Sequence, residues 1–159
     1  PVSIKKNIPL CEVDALDVCE HAIRTAEENA LMNKTEIHFY KKDVLNFNPD
    51  DSLYNRKYEI VVSNPPYILR EESGALAAGV RDHEPHLALF VNGNDPIVFY
   101  RRIVELCERI LAPAGKLYFE LNPLTAEEVM NTAMDSGIFR TAELLRDMSG
   151  NVRFLKAQR

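Results

Sequence analysis

The chain has 159 residues, 46% of them apolar, with a formal net charge of −5 and three cysteines, Cys11, Cys19 and Cys107. That length predicts one domain with a real core, and the acidic balance argues against a generic grip on nucleic-acid phosphates, which takes a surplus of Lys and Arg. No apolar run approaches the roughly 20 residues that cross a bilayer, no signal peptide is visible, and an odd cysteine count without CxxC spacing argues for a reducing cytoplasm rather than a disulfide framework or zinc knuckle.

Residues 2–8, VSIKKNI, read as the tail of a helix, and a start at Pro1 rather than Met leads us to expect a fragment. CEVDALD (11–17) alternates apolar residues and ends on an acid, as a strand would. Residues 19–32 follow at helical spacing, with Ile23, Ala26, Ala30 and Leu31 predicted on one face. EIHFYKK (36–42) is a second strand leading to Asp43, and the polar stretch 46–57 predicts a loop. YEIVVS (58–63) is rich in Ile and Val and predicts a strand buried on both faces, as in a parallel sheet.

Residues 68–94, with Gly74, Gly79, Pro85 and Gly93, predict a long irregular segment, and such segments are usually functional or mobile. Asp95 is the expected N-cap of the next helix, with Pro96 at its first position. That helix runs to about Leu111 and presents Ile97, Val104, Cys107 and Leu111 inward. PAG (113–115) stops it, and KLYFEL (116–121) is another strand. Thr125 and Glu128 have capping-box spacing before a helix ending near Gly137. TAELLRD and VRFLKA, joined by MSGN, predict a terminal antiparallel hairpin.

Strands alternating with helices imply an α/β fold with right-handed crossovers and a mostly parallel sheet, whose ligands bind beyond the carboxyl ends of the strands. Asp17, Asp43, Asn64 and Glu120 all fall at such ends. An acid placed like Asp17 holds ribose hydroxyls in nucleotide-binding units, about 20 residues after a Gly-rich turn. Counting back runs off the start of the chain, and the six glycines (74, 79, 93, 115, 137, 150) never form GxGxxG. Either that turn lies upstream, or Asp17 only caps the following helix. Asp43 could accept a hydrogen bond from the exocyclic amine of an adenine, or stand as a solvated strand-end carboxylate.

SNPPY (63–67) carries the sharpest chemistry. A residue before proline is pushed into the extended region, so Asn64 presents its side chain outward. Pro65 and Pro66 contribute carbonyls without N–H groups, which biases the loop toward accepting hydrogen bonds. Such a loop suits a substrate –NH2, one hydrogen going to the Asn64 side-chain oxygen and the other to a main-chain carbonyl such as that of Pro65. A nitrogen conjugated to a π system is a poor nucleophile; two acceptors orient it and stabilise the positive charge that grows during attack, each contact contributing about 3 kcal/mol. Tyr67 would pack on the planar group or face a cationic centre. A proline-rich turn that merely ends a strand is the plain alternative. His83 and His86 give HxxH without a further ligand, a weak metal signal better read as solvated loop residues, and His21 and His38 read as helix-face and strand residues. No metal is expected.

NPPY after a hydrophobic strand resembles the signature of S-adenosylmethionine-dependent methyltransferases acting on planar nitrogens. LDVCEHAIRTAEENA around Asp17, HEPHLALFVNGNDPIVFYRRI and the late RDMSGNVRF are similar to one branch, the release-factor glutamine N5-methyltransferases (PrmC/HemK). The resemblance implies a seven-strand Rossmann-like sheet with a final antiparallel strand, S-adenosylmethionine as cofactor, and the glutamine of the GGQ motif in class I peptide chain release factors as substrate. It also implies that Asp17 binds the ribose, Asp43 lies near the adenine, Asn64 and Pro65 hold the glutamine amide, and Pro66 and Tyr67 shape the pocket; Glu84 and Pro85 lie in the adjoining loop. The branch's Gly-rich motif, first strand and N-terminal helical domain have no counterpart in these residues, and ELNPLT (120–125) stands where many members have Gly and Gln. The expectation is therefore that residues 1–159 are an N-terminally truncated C-terminal catalytic domain, opened in the middle of its sheet, binding cofactor weakly or not at all and possessing little activity by itself. Two alternatives are methylation of nucleic-acid adenine or cytosine amino groups, which the acidic balance disfavours, and a noncatalytic fragment that only docks a protein partner.

Overall fold

A computed structural model describes residues 1–46, 48, 51–69, 90–91 and 95–159. The chain divides into two compact units, Pro1–Asn48 and Pro49–Arg159. Among the described residues no helix is long and apolar enough to cross a membrane.

The first unit holds α1 (Val2–Asn7), β1 (Asp14–Asp17), α2 (Glu20–Met32), β2 (His38–Lys41) and a 3-10 turn at Val44–Asn46. β1 and β2 are parallel, in register from Asp14 against His38 to Asp17 against Lys41, with α2 as the crossover. β1 starts later than predicted, because Cys11 is still in a turn: its N–H donates to the Ile8 carbonyl and its own carbonyl accepts from Lys5 Nζ at 2.7 Å. On α2, Ala30 is buried and Ile23 and Ala26 half-buried, whereas Leu31 is 79% exposed rather than inward. At 3.6 residues per turn, Leu31 lies about 100° around the helix from Ala30, off the stripe that 23, 26 and 30 define.

The second unit holds a 3-10 turn (Ser52–Asn55), β3 (Tyr58–Ser63), β4 (Ile68–Leu69), β5 (Phe90–Val91), α3 (Val98–Ile110), β6 (Leu111–Glu120), α4 (Ala126–Asp135), β7 (Thr141–Arg146) and β8 (Val152–Gln158). Its main sheet runs β3-β6-β8-β7, with β3 parallel to β6 and β8 antiparallel to both β6 and β7. β4 and β5 form a separate parallel pair. The register aligns Phe119 with Ser63 and Leu155, and Leu117 with Val61 and Ala157; these rows carry the buried Leu117, Phe119, Leu155 and Ala157. α3 and α4 pack on the sheet and on each other, supplying Tyr100, Ile103, Val104, Leu106, Cys107, Val129 and Ala133 to the core.

The opposite face carries none of the described helices of this unit. Ile60 is 55% and Val62 61% exposed, so β3 is not the doubly buried strand predicted from its apolar run. The helices of this unit cover one face only, and β3 has β6 as its sole ladder partner among the described residues. Among the described residues β1 likewise pairs with β2 alone, in a two-stranded sheet of the first unit.

Several ends differ from their predicted form. Helix α3 begins at Val98, with Asp95 Oδ1 accepting the Ile97 N–H at 3.0 Å in a turn before the helix. No capping box forms at Thr125: its hydroxyl donates to the Asn122 carbonyl, since the Asn122-led turn already holds it in a near-helical conformation. The 46–57 stretch contains the 3-10 turn at Ser52–Asn55, capped by Asp51. PAG does not separate helix from strand. β6 starts directly after α3, and Pro113–Gly115 form a bulge inside it, with Ala114 at φ 61° and the ladder stepping from Tyr58–Leu111 to Ile60–Lys116. Gly115 is required there, because a Cβ would lie 2.8 Å from the Ala112 carbonyl oxygen. Arg159 clasps the junction, its N–H donating to Gly115 O at 3.0 Å and its Nη1 to Leu111 O at 2.7 Å and Glu108 O at 3.2 Å. A cation on the last carbonyls of a helix is also favoured by the helix dipole.

Candidate active site

β3 ends at Ser63, and Asn64 follows directly, exposed and with no hydrogen bond to any described residue. Pro65 is buried, Pro66 and Tyr67 are half-buried, and Ile68–Leu69 then enter the short β4. A buried proline after an exposed asparagine fixes the turn while leaving the carboxamide available. The parallel ladder puts Ser63 beside Phe119, so Asn64 and Glu120 lie together at the carboxyl end of β3 and β6. Behind them, Tyr100 on α3 is fully buried; its hydroxyl donates to the Glu120 carbonyl at 2.9 Å, and its ring meets Phe119 edge-on with centroids 5.0 Å apart.

In the first unit, Asp17 is the last residue of β1 and is exposed. Its Oδ1 accepts the Cys19 N–H at 2.7 Å, so it does cap the turn into α2, and Oδ2 has no partner among the described residues. Asp43 is half-buried and locally committed: Oδ1 accepts the Leu45 N–H at 3.0 Å and Oδ2 the Asn46 amide at 2.6 Å. Nearby in sequence, Lys41 and Arg24 both donate to Glu20, at 2.9 and 2.6 Å, and hold its carboxyl below the usual range.

Residues 1–88 match the family described as methyltransferase small domain. The chain belongs to that family. It is 39% identical over 155 residues to a release factor glutamine methyltransferase of Flavobacterium psychrophilum, covering 98% of this chain and 53% of that protein. The chain spans about half the length of the curated relatives it matches. A methyltransferase from Pyrococcus furiosus has the same fold, with TM-score 0.69 at 18% identity, over 98% of this chain and 66% of that one. So does the N-methyltransferase NodS of Bradyrhizobium japonicum, solved with S-adenosyl-L-homocysteine: TM-score 0.55, 16% identity, 99% of this chain and 71% of that one. The fold is thus the α/β, Rossmann-like methyltransferase fold.

Within this methyltransferase-family chain, the structure brings Asn64, Pro65, Pro66 and Tyr67 to one end of the second unit, and Asp17 and Asp43 to the carboxyl ends of the first unit's strands. His83, Glu84, Pro85 and His86 lie outside the described residues. The sequence reading missed Tyr100. Its signal was present, since Tyr100, Ile103, Val104 and Cys107 repeat at helical spacing, but the inward face was drawn through Ile97, Val104, Cys107 and Leu111. Burial, together with the nearby Tyr67 phenol, pushes the Tyr100 phenol above its ordinary range, so it stays a neutral donor.

Proposed function

We propose that residues 1–159 form a methyltransferase catalytic domain that transfers methyl to N5 of the GGQ glutamine of class I peptide chain release factors, with S-adenosylmethionine as donor. The observation that carries this reading is the Asn64 carboxamide, exposed and without a hydrogen bond among the described residues, directly after a strand and before two residues that have no N–H. The name of the similar Flavobacterium protein supports the substrate, and the bound product in NodS supports the cofactor.

The residues present suit a ribose and an amine. Asp17 Oδ2, with no partner among the described residues, accepts from a ribose hydroxyl in this reading, while Asp43, with one hydrogen bond on each oxygen, retains lone pairs for an adenine amino group. S-adenosylmethionine, when bound, supplies an electrophilic methyl on a sulfonium sulfur. Asn64 Oδ1 accepts one amide hydrogen of the glutamine and the Pro65 carbonyl the other. Together they aim the nitrogen lone pair and stabilise the charge that develops on it. Once methylated, the cationic nitrogen releases its proton to solvent, so no general base is required. Pro66 and Tyr67 confine the planar amide.

The test is methyl transfer from labelled S-adenosylmethionine, at millimolar concentration, to a release factor. Asn64→Ala should reduce transfer at least about 100-fold, the loss typical of one such acceptor. Label that reaches the release factor equally with Asn64→Ala, or that goes to duplex DNA instead, would sink the reading.

A further inference from the structure

We infer that Tyr100 is a positioning residue for the Asn64–Tyr67 loop, acting through the carboxyl end of β6. A phenylalanine would fill the same space against Phe119; the hydroxyl is an added polar group in the core, unfavourable there unless it is bonded. Its partner is the carbonyl of Glu120, at 2.9 Å. Glu120 is the last residue of β6, and since Ser63 pairs with Phe119, it stands beside the point where Asn64 leaves the sheet. On its far side the same strand end is held by β8, where Leu121 N–H donates to Arg153 O at 2.8 Å. Tyr100 therefore holds from the helix side the strand end that neighbours the acceptor loop. Tyr67, half-buried, closes the same loop. A displacement of about 1 Å in such a loop costs on the order of 100-fold in rate.

The role in the reaction rests on the function proposed above; the mechanical link does not, and the two are separated experimentally. In Tyr100→Phe, backbone amide resonances of Asn64 and Tyr67 should move along with Leu121, and Tyr67 N–H should exchange about tenfold faster while the far-ultraviolet circular dichroism is unchanged. Methyl transfer should lose about tenfold in kcat with KM for the release factor within about twofold, the signature of lost alignment rather than lost binding. Perturbation confined to residues 119–122, with residues 64–67 at wild-type positions and exchange rates, overturns the inference. Should Tyr100→Phe not fold, native-state exchange of the wild type decides: Tyr67 and Leu121 amides opening in one denaturant-dependent step support the link, and independent opening overturns it. If wild type methylates no glutamine while the loop still responds to Tyr100→Phe, the proposed function fails and the positioning role stands.

Discussion

Cys107 illustrates how much a single side chain owes to its surroundings. It is fully buried on α3, and burial pushes its thiol up to about 12, whereas Cys11 and Cys19 are only half-buried. A buried thiol in an apolar setting is protonated and unreactive at pH 8. An aromatic disulfide reagent should thus titrate two thiols in the native chain and the third only on unfolding; three equally fast thiols would contradict the packing. The raised pKa also sets a sign. Its stabilising effect is complete below the unfolded thiol's value of about 8.5 and is lost as pH rises from there toward 12. Asn64 and Pro65 are the opposite case: their constraint is covalent and local, so an exposed Asn64 ahead of a rigid Pro-Pro turn was legible in five residues. Tyr100 was not, because its hydroxyl matters only through a carbonyl brought to it by the sheet.

At the level of elements, the terminal hairpin is governed by its turn. Asp147 Oδ1 accepts the Ser149 N–H at 2.9 Å and the Asn151 N–H at 3.0 Å, Gly150 takes φ 85°, and Arg146 donates to Gly150 O at 2.7 Å. The Asn151 amide first, and that of Ser149 after it, hold the Asp147 carboxyl below its usual range. A depressed folded pKa means this contribution is present above the unfolded value of about 3.9 and disappears as pH falls through the folded one. Urea unfolding should therefore show Asp147→Asn less stable than wild type at pH 7, with the gap closing toward pH 3; a gap independent of pH would refute the assignment. RDMSGNVRF announced this hairpin because turn residues act locally. The predicted capping box and the PAG stop failed for the same kind of reason. Thr125 had a nearer partner in Asn122, and the bulge at Pro113–Gly115 is stabilised by Arg159, from the other end of the chain.

For the molecule as a whole, burial is unequal. Among the described residues of Pro1–Asn48, Ala30 is the one buried apolar side chain, while Pro49–Arg159 contains Tyr100, Phe119, Leu117, Leu155, Val129 and their neighbours. Local stability follows apolar burial, so amides of β1, β2 and α2 should exchange well ahead of those in β6 and β8. Uniform protection across both units would show that the first is stabilised by something other than its own core. Sequence by itself determined the βα alternation, the parallel strand before SNPPY, the Pro65–Pro66 pair without N–H groups and the closing hairpin, because periodicity and proline chemistry operate over a few adjacent residues. Tertiary structure alone decided that β3 leaves Ile60 and Val62 exposed, that Glu120 stands beside Asn64, and that Arg159 and Tyr100 secure the two ends of β6. Those facts join residues distant along the chain, and spacing within a segment does not specify its partner.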